Sequence, residues 1–293
     1  MPFFDLDNLI KAAVAILQGS DPYLLPDVYY PLPLYLIFIP LAGLPLPVAH
    51  GIWLAIELAI LVAILRRRAF VAVFFMPVFL TLLMGQIVMP MLGLFALLRT
   101  GLFGGVALGL LALKPQLVLF IAPWMLWRWW QRERKQIIWF ALTLAILATI
   151  AFLIQPDWLA RWLAVSGRRL RAPIAPSVWG VLSFLPTPAW IALAGLATVA
   201  IFVWAWRKND FDLISTAGLL VNPLIISYDQ TLLTTIIRDS RLWVVLTGVS
   251  WIAFGVSAAG LVSGEGPSAM TTLAVLIMLA LQRRAQTRDA RAQ

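Results

Sequence analysis

The sequence predicts an all-α, polytopic bundle of transmembrane helices, several of them short or broken, and three observations lead there. Of the 293 residues 62% are hydrophobic and 12% charged, and mean hydropathy is +0.93, a balance outside the range of water-soluble domains. The cations are gathered at the ends of apolar runs: Arg66–Arg68, Arg99, Arg128 with Arg132, Arg134 and Lys135, and Arg207 with Lys208. The positive-inside rule and anionic headgroups produce that pattern and place these clusters in the cytoplasm. Polar breaks also recur inside the apolar runs, at Gly85-Gln86, Lys114-Pro115-Gln116 and Asn222-Pro223.

In chain order, Met1–Leu25 lacks a basic leader, Lys11 being the first cation, and does not read as a signal peptide. Residues 1–29 carry Asp5, Asp7, Asp21 and Asp27 around the weakly amphipathic run Leu9–Leu17 and predict an outer-loop-like segment with a short surface helix. Apolar runs follow at Tyr30–Leu46, Val48–Leu65, Ala69–Met84, Ile87–Leu98, Leu102–Leu113 and Leu117–Trp127. One span, Gln136–Ile154, leads to an extracytoplasmic loop at 156–188, and Ala189–Trp206 returns to Arg207. Phe211–Ile226, the arm Thr231–Ile237, Leu242–Val262 and Met270–Leu281 complete the runs, and 283–293 form a basic cytoplasmic tail. No linker divides the chain, so a single membrane domain over 1–293 is expected.

The cation clusters imply a geometry that a count of spans misses. Gly85-Gln86 lies midway between Arg68 and Arg99, and Lys114-Pro115-Gln116 midway between Arg99 and Arg128. Each arm of these hairpins rises only about 17–18 Å, against roughly 30 Å of hydrocarbon. The tips therefore fall at membrane depth, where non-helical backbone is tolerated only against protein or a wet cavity. Lys208 to Arg238 repeats the pattern around Asn222-Pro223 and Tyr228-Asp229-Gln230. The expectation is a polar chamber open away from the cytoplasm, in which Gln86, Gln116 and Asp229 converge on Lys114.

Lys114 is the strongest functional candidate, because an intramembrane cation marks a site for an anion. Snorkelling is the bland alternative, but it has no use for the adjoining break and amide. Asp229, between Tyr228 and Gln230, needs a partner, either in a site or in a structural Asp–Arg pair. Gly101, Gly105 and Gly109 form a small-residue ridge for helix packing, and Glu57 is expected to hydrogen-bond internally, with His50 on a similar face. In the loop, Arg161, Arg168, Arg169 and Arg171 suit phosphate binding; the alternative is an interfacial helix anchored by Trp158 and Trp162. The chain has no Cys and one His, so disulfides, thiol nucleophiles and histidine metal clusters are excluded, and no metal or cofactor is expected. The net charge of +9 is accounted for by the membrane pattern, and nucleic acid is not an expected partner.

The stretch Gly85-Gln86, twelve apolar residues, Arg99-Thr100-Gly101, a glycine-rich helix and Leu113-Lys114-Pro115-Gln116 resembles the membrane glycosyltransferases of the GT-C fold, in particular glycosyltransferase family 87. Gly19-Ser20-Asp21-Pro22-Tyr23, Tyr29-Tyr30-Pro31-Leu32 and Asn222-Pro223 through Tyr228-Asp229-Gln230 fit the same pattern, with Tyr30 where the family's Y-P-P-L has its first proline. The resemblance implies a multi-pass protein of the bacterial plasma membrane that transfers a sugar, mannose or another hexose, from a polyprenyl-phosphate donor to a glycan or glycolipid acceptor among membrane lipids. It implies a carboxylate base early in the first outer loop, Asp5 by position with Asp7 as runner-up, and inversion without a metal ion. Lys114, Gln116, Gln86, Tyr228, Asp229, Gln230, Arg168 and Arg169 are the expected substrate contacts. The family's first transmembrane helix is absent before this loop, so a truncated or inactive chain is also expected. If Arg66–Arg68 are cytoplasmic, residues 1–29 share the outer compartment only where Tyr30–Leu46 does not cross fully; otherwise the triplet breaks the rule. A flippase for lipid-linked substrates, or an inactive relative acting as an envelope-assembly scaffold, would present the same features.

Overall fold

The computed structural model describes residues 2–166, 172–262 and 264–292. It is 78% helical. The helices in chain order are α1 (Phe4–Leu17), α2 (Leu32–Leu36), α3 (Ile39–Ala42), α4 (Leu46–Leu65), α5 (Ala69–Ala72), α6 (Met76–Met84), α7 (Val88–Thr100), α8 (Gly104–Leu111) and α9 (Pro115–Val118). They continue as α10 (Ile121–Arg132), α11 (Arg134–Ile154), α12 (Trp158–Ser166), α13 (Val178–Val181), α14 (Thr187–Lys208), α15 (Phe211–Val221), α16 (Ser240–Ala258) and α17 (Ala269–Ala292), with short 3-10 turns between some of them. Among the described residues, four segments are long and apolar enough to cross a membrane: Leu46–Ala72, Arg134–Ile154, Thr187–Lys208 and Arg241–Ala258. Val88–Thr100 and Phe211–Val221 are shorter apolar helices.

The chain divides into two compact units. One holds the chain up to Ala69, Phe79–Val118 and Met125 through α12; the other holds Phe70–Val78, Leu119–Trp124 and the described residues after α12.

In the first unit the amino-terminal segment departs from the expected surface helix. It forms the 14-residue α1, whose Leu6, Leu9, Ile10 and Ala13 recur at helical spacing and are buried. The run Tyr30–Leu46 also departs from a crossing. It is two helices of 5 and 4 residues, each with a proline in its first turn, where the missing N–H leaves no bond unmade. The glycine ridge is a packing face: a Cβ on Gly105 would stand 2.1 Å from the Gln136 carbonyl oxygen, and one on Gly109 2.7 Å from Thr143 Cβ. Backbone contact at that range brings α8 against α11, and the Gly105 N–H bonds Gln136 Oε1 at 2.7 Å. Gly104, against Trp129, completes the face. Gly101 does not belong to it: its φ of +77° closes α7, and open space surrounds it.

In the second unit α14 ends on Asn209 in the left-handed region, and the Asp210 carboxylate caps α15 through the Leu213 N–H at 3.0 Å. Arg283 of α17 pairs with Asp210 at 2.6 Å. The apolar run Ala69–Met84 is interrupted between α5 and α6, and α16 satisfies the opened backbone. The Met76 N–H donates to Ser250 Oγ at 3.3 Å, and the Trp251 indole N–H donates to the Phe74 carbonyl at 2.7 Å.

Candidate active site

The first turn of α1 places Asp5 and Asp7 at a helix amino terminus, where the macrodipole favours carboxylates. Two residues along a helix turn a side chain through about 200°, so the two acids reach different neighbours. Asp5 accepts a hydrogen bond at Oδ2 from Gln86 Nε2. Asp7 Oδ1 lies 2.7 Å from His50 Nε2 in the first turns of α4. Accepting at Asp7 fixes the proton on Nε2 whether the ring is neutral or charged. The imidazole stacks on Phe3 at 4.5 Å between centroids and 20° between planes.

The Gln86 tip is held against α1 by its backbone. The Phe3 N–H donates to the Leu83 carbonyl at 2.7 Å. Gly85 turns the chain with φ +65°, and a Cβ there would sit 2.7 Å from Leu6 Cβ and 3.0 Å from Phe3 Cδ1. Glycine is therefore required both by conformation and by space. Gln86 is 2% exposed, and its Oε1 is buried without a hydrogen-bond partner among the described residues.

Lys114 is wholly buried between α8 and α9. Its Nζ lies 5.8 Å from the centroid of the Tyr30 ring, within the range of a cation–π contact. Gln116 follows in the first turn of α9, half-buried. The segment before Tyr30 is tied to the loop helix α12. Asp21 caps the turn Pro22–Leu24 by accepting from the Tyr23 N–H at 3.0 Å, and accepts from Gln155 Nε2 at 3.3 Å and from Arg161. Arg161 also bonds Asp157 at 2.5 Å, which holds the Asp157 carboxyl below the usual aspartate value. The Trp162 indole N–H donates to the Tyr29 carbonyl at 2.8 Å, and Trp158, stacked on Trp162, is buried. These two tryptophans pack within the first unit, where the sequence had offered them as interfacial anchors. Arg168 and Arg169 lie outside the described residues.

Tyr228, Asp229 and Gln230 are together in the second unit, in the 3-10 helix Ser227–Thr235, and all three are buried. Asp229 Oδ2 accepts from the Ile226 N–H at 3.0 Å. Gln230 Nε2 donates to the Ser268 carbonyl at 2.8 Å and to Thr272 Oγ1 at 3.0 Å.

The sequence missed the Asp7–His50 pair, coupling His50 instead with Glu57. Glu57 is 0% exposed, and neither its oxygens nor the Trp53 N–H one turn earlier has a hydrogen-bond partner among the described residues. The only sequence signal for the true pair was a lone histidine near a helix start, and nothing in its spacing leads 43 residues back to Asp7.

The first unit thus sets an amide-bonded carboxylate, a carboxylate–imidazole pair and a buried ammonium beside an aromatic ring. No curated protein and no solved structure matches the chain. The family model described as Glycosyltransferase family 87 matches residues 29–227. That stretch contains Tyr30, Gln86, Lys114 and Gln116; Asp5 and Asp7 precede it, and Tyr228, Asp229 and Gln230 follow it. The match covers more than half of the chain, which belongs to glycosyltransferase family 87 and is a multi-pass integral membrane glycosyltransferase.

Proposed function

We propose that this protein transfers a hexose, mannose by the family resemblance, from a polyprenyl-phosphate donor to a hydroxyl of a glycolipid or glycan, with Asp5 as general base and Lys114 at the donor phosphate. A sugar hydroxyl is a weak nucleophile until a positioned acceptor takes its proton. The observation that carries the assignment is the Asp5–Gln86 hydrogen bond. The neutral Gln86 amide orients the carboxylate by donating to one of its oxygens, and adds no charge of its own to it.

In the step proposed, the acceptor O–H proton passes to Asp5 as the oxygen attacks the anomeric carbon. The bond from that carbon to the phosphate oxygen breaks on the opposite face, so the anomeric centre inverts. Polyprenyl phosphate departs with the bonding electron pair, and the Lys114 ammonium stabilises the charge that accumulates there. Side of the membrane supports the same reading. α2 and α3 together rise only about 14 Å, less than a crossing, so α4 alone separates residues 1–29 from Arg66–Arg68. Asp5 then falls on the side opposite the arginines, the side to which the hairpin tip bearing Lys114 points.

The test is sugar transfer from radiolabelled polyprenyl-phosphate mannose in nanodiscs with a panel of glycolipid acceptors. Asp5→Asn is expected to lower kcat by about 10²–10⁴-fold, with Asp7→Asn lowering it less, while Lys114→Met acts chiefly on donor affinity. Equal turnover by Asp5→Asn and the unaltered protein rules out Asp5 as the base.

A further inference from the structure

We infer that Tyr30 is a positioning residue for the donor phosphate: its ring face holds the Lys114 ammonium charged and in place. This deepens the reading that Lys114 meets the donor, and rests on it. Tyr30 stands between Tyr29 and Pro31 and presents an aromatic surface to the lysine.

Four of the chain's five tyrosines fall between residues 23 and 35, and two of them, Tyr23 and Tyr35, hold the backbone of Tyr30. The Tyr30 N–H donates to the Tyr35 hydroxyl at 2.8 Å, and the Tyr30 carbonyl accepts from the Tyr23 hydroxyl at 3.2 Å. The preceding carbonyl, of Tyr29, is taken by the Trp162 indole at 2.8 Å. Burial raises the Tyr23 phenol well above its ordinary value, so it remains a donor throughout the physiological range. The Tyr35 ring flanks Tyr30 at 6.5 Å. Backbone bonds on both sides thus fix a half-buried ring whose centroid is 5.8 Å from Lys114 Nζ.

The chemistry explains the choice of a ring. A buried ammonium is costly to keep charged, and the negative face of an aromatic quadrupole favours the charged form without neutralising it. The ring brings no negative charge to compete with a phosphate, and being fixed it limits where the flexible lysine stem can carry the ammonium.

The experiment measures equilibrium binding of radiolabelled polyprenyl phosphate, and donor KM and kcat, for the full chain in nanodiscs. Tyr30→Phe keeps the ring face and should bind within about twofold of the unaltered protein. Tyr30→Leu should weaken binding about 3- to 30-fold and raise donor KM more than it lowers kcat. In the Lys114→Met background Tyr30→Leu should add no further loss. Phenylalanines of increasing fluorination at position 30 change ring charge with little change of shape, and should weaken binding stepwise even where Tyr30→Leu does not fold. Flat affinity across the fluorinated series, or a Tyr30→Leu loss undiminished without Lys114, overturns the inference. Unchanged binding by Lys114→Met overturns instead the donor role of the lysine, and the two failures are separate results.

Discussion

Replacing Gly85 with alanine tests how tightly the base is placed. The new Cβ would stand 2.7 Å from Leu6 Cβ, a backbone-proximal atom that cannot swing aside, so the first turn of α1 must retreat by roughly 1 Å to reach ordinary carbon contact. Leu6 adjoins Asp5 and Gly85 adjoins Gln86, so that retreat is taken from the Asp5–Gln86 hydrogen bond itself. A misplacement of this size in a catalytic group lowers kcat by about 10²-fold. Stability should fall by about 2–5 kcal/mol, combining the left-handed conformation forced on alanine with overpacking. Gly101→Ala is the internal control, for Gly101 has φ +77° with nothing within 4 Å of a built Cβ. It should lose only the conformational part, about 1–2 kcal/mol, with kcat unchanged. The assay is donor turnover in nanodiscs beside thermal unfolding. A folded Gly85→Ala protein with unaltered kcat, or a Gly101→Ala protein as impaired as Gly85→Ala, would refute the reasoning.

Four further outcomes are expected. Arg161→Ala removes the bonds to Asp21 and Asp157 and should raise amide hydrogen exchange in α12 and residues 21–30. The same docking should respond to acid. The Asp157 pKa is depressed in the fold, so its contribution is complete above the ordinary value of about 3.9 and is lost only as pH falls below that through the lowered pKa, which exchange measured across acidic pH will show. Gly105→Ala should destabilise by about 1–3 kcal/mol or prevent folding, seen as loss of a monodisperse peak on extraction. Glu57→Leu removes a buried carboxyl whose oxygens have no hydrogen-bond partner among the described residues, and should raise the unfolding temperature while turnover persists.

The features legible in the sequence are those that depend on near neighbours. Gly105 and Gly109 recur one turn apart, and Lys114-Pro115-Gln116 interrupts an apolar run, so both could be read from a single stretch. The short helices followed from the spacing of cations. What stayed hidden joins distant segments. Arg161 reaches Asp21 across 140 residues, and His50 meets Asp7 while Glu57, on its own helix, makes no bond with it. In a chain this apolar every helix face is hydrophobic, so hydropathy does not say which face meets which partner. The helix α1 was hidden for a different reason: its four-residue apolar spacing is diluted by Asp5, Asp7 and Lys11, which made a buried helix resemble a surface one.

The break between α5 and α6 has a consequence for biosynthesis. Its opened amide and carbonyl are satisfied by Ser250 and Trp251, which follow them by 174 and 177 residues. At about 5–20 residues per second, that partner leaves the ribosome roughly 9–35 s after the break does. Through that interval the Phe74 carbonyl and the Met76 N–H must be hydrated or held by the insertion machinery, since an unpaired peptide group is costly in hydrocarbon. Stalling the ribosome before residue 250 should therefore leave Phe75 and Met76 open to aqueous labelling, and release should close them, which makes this joint a timer for the completion of the second unit.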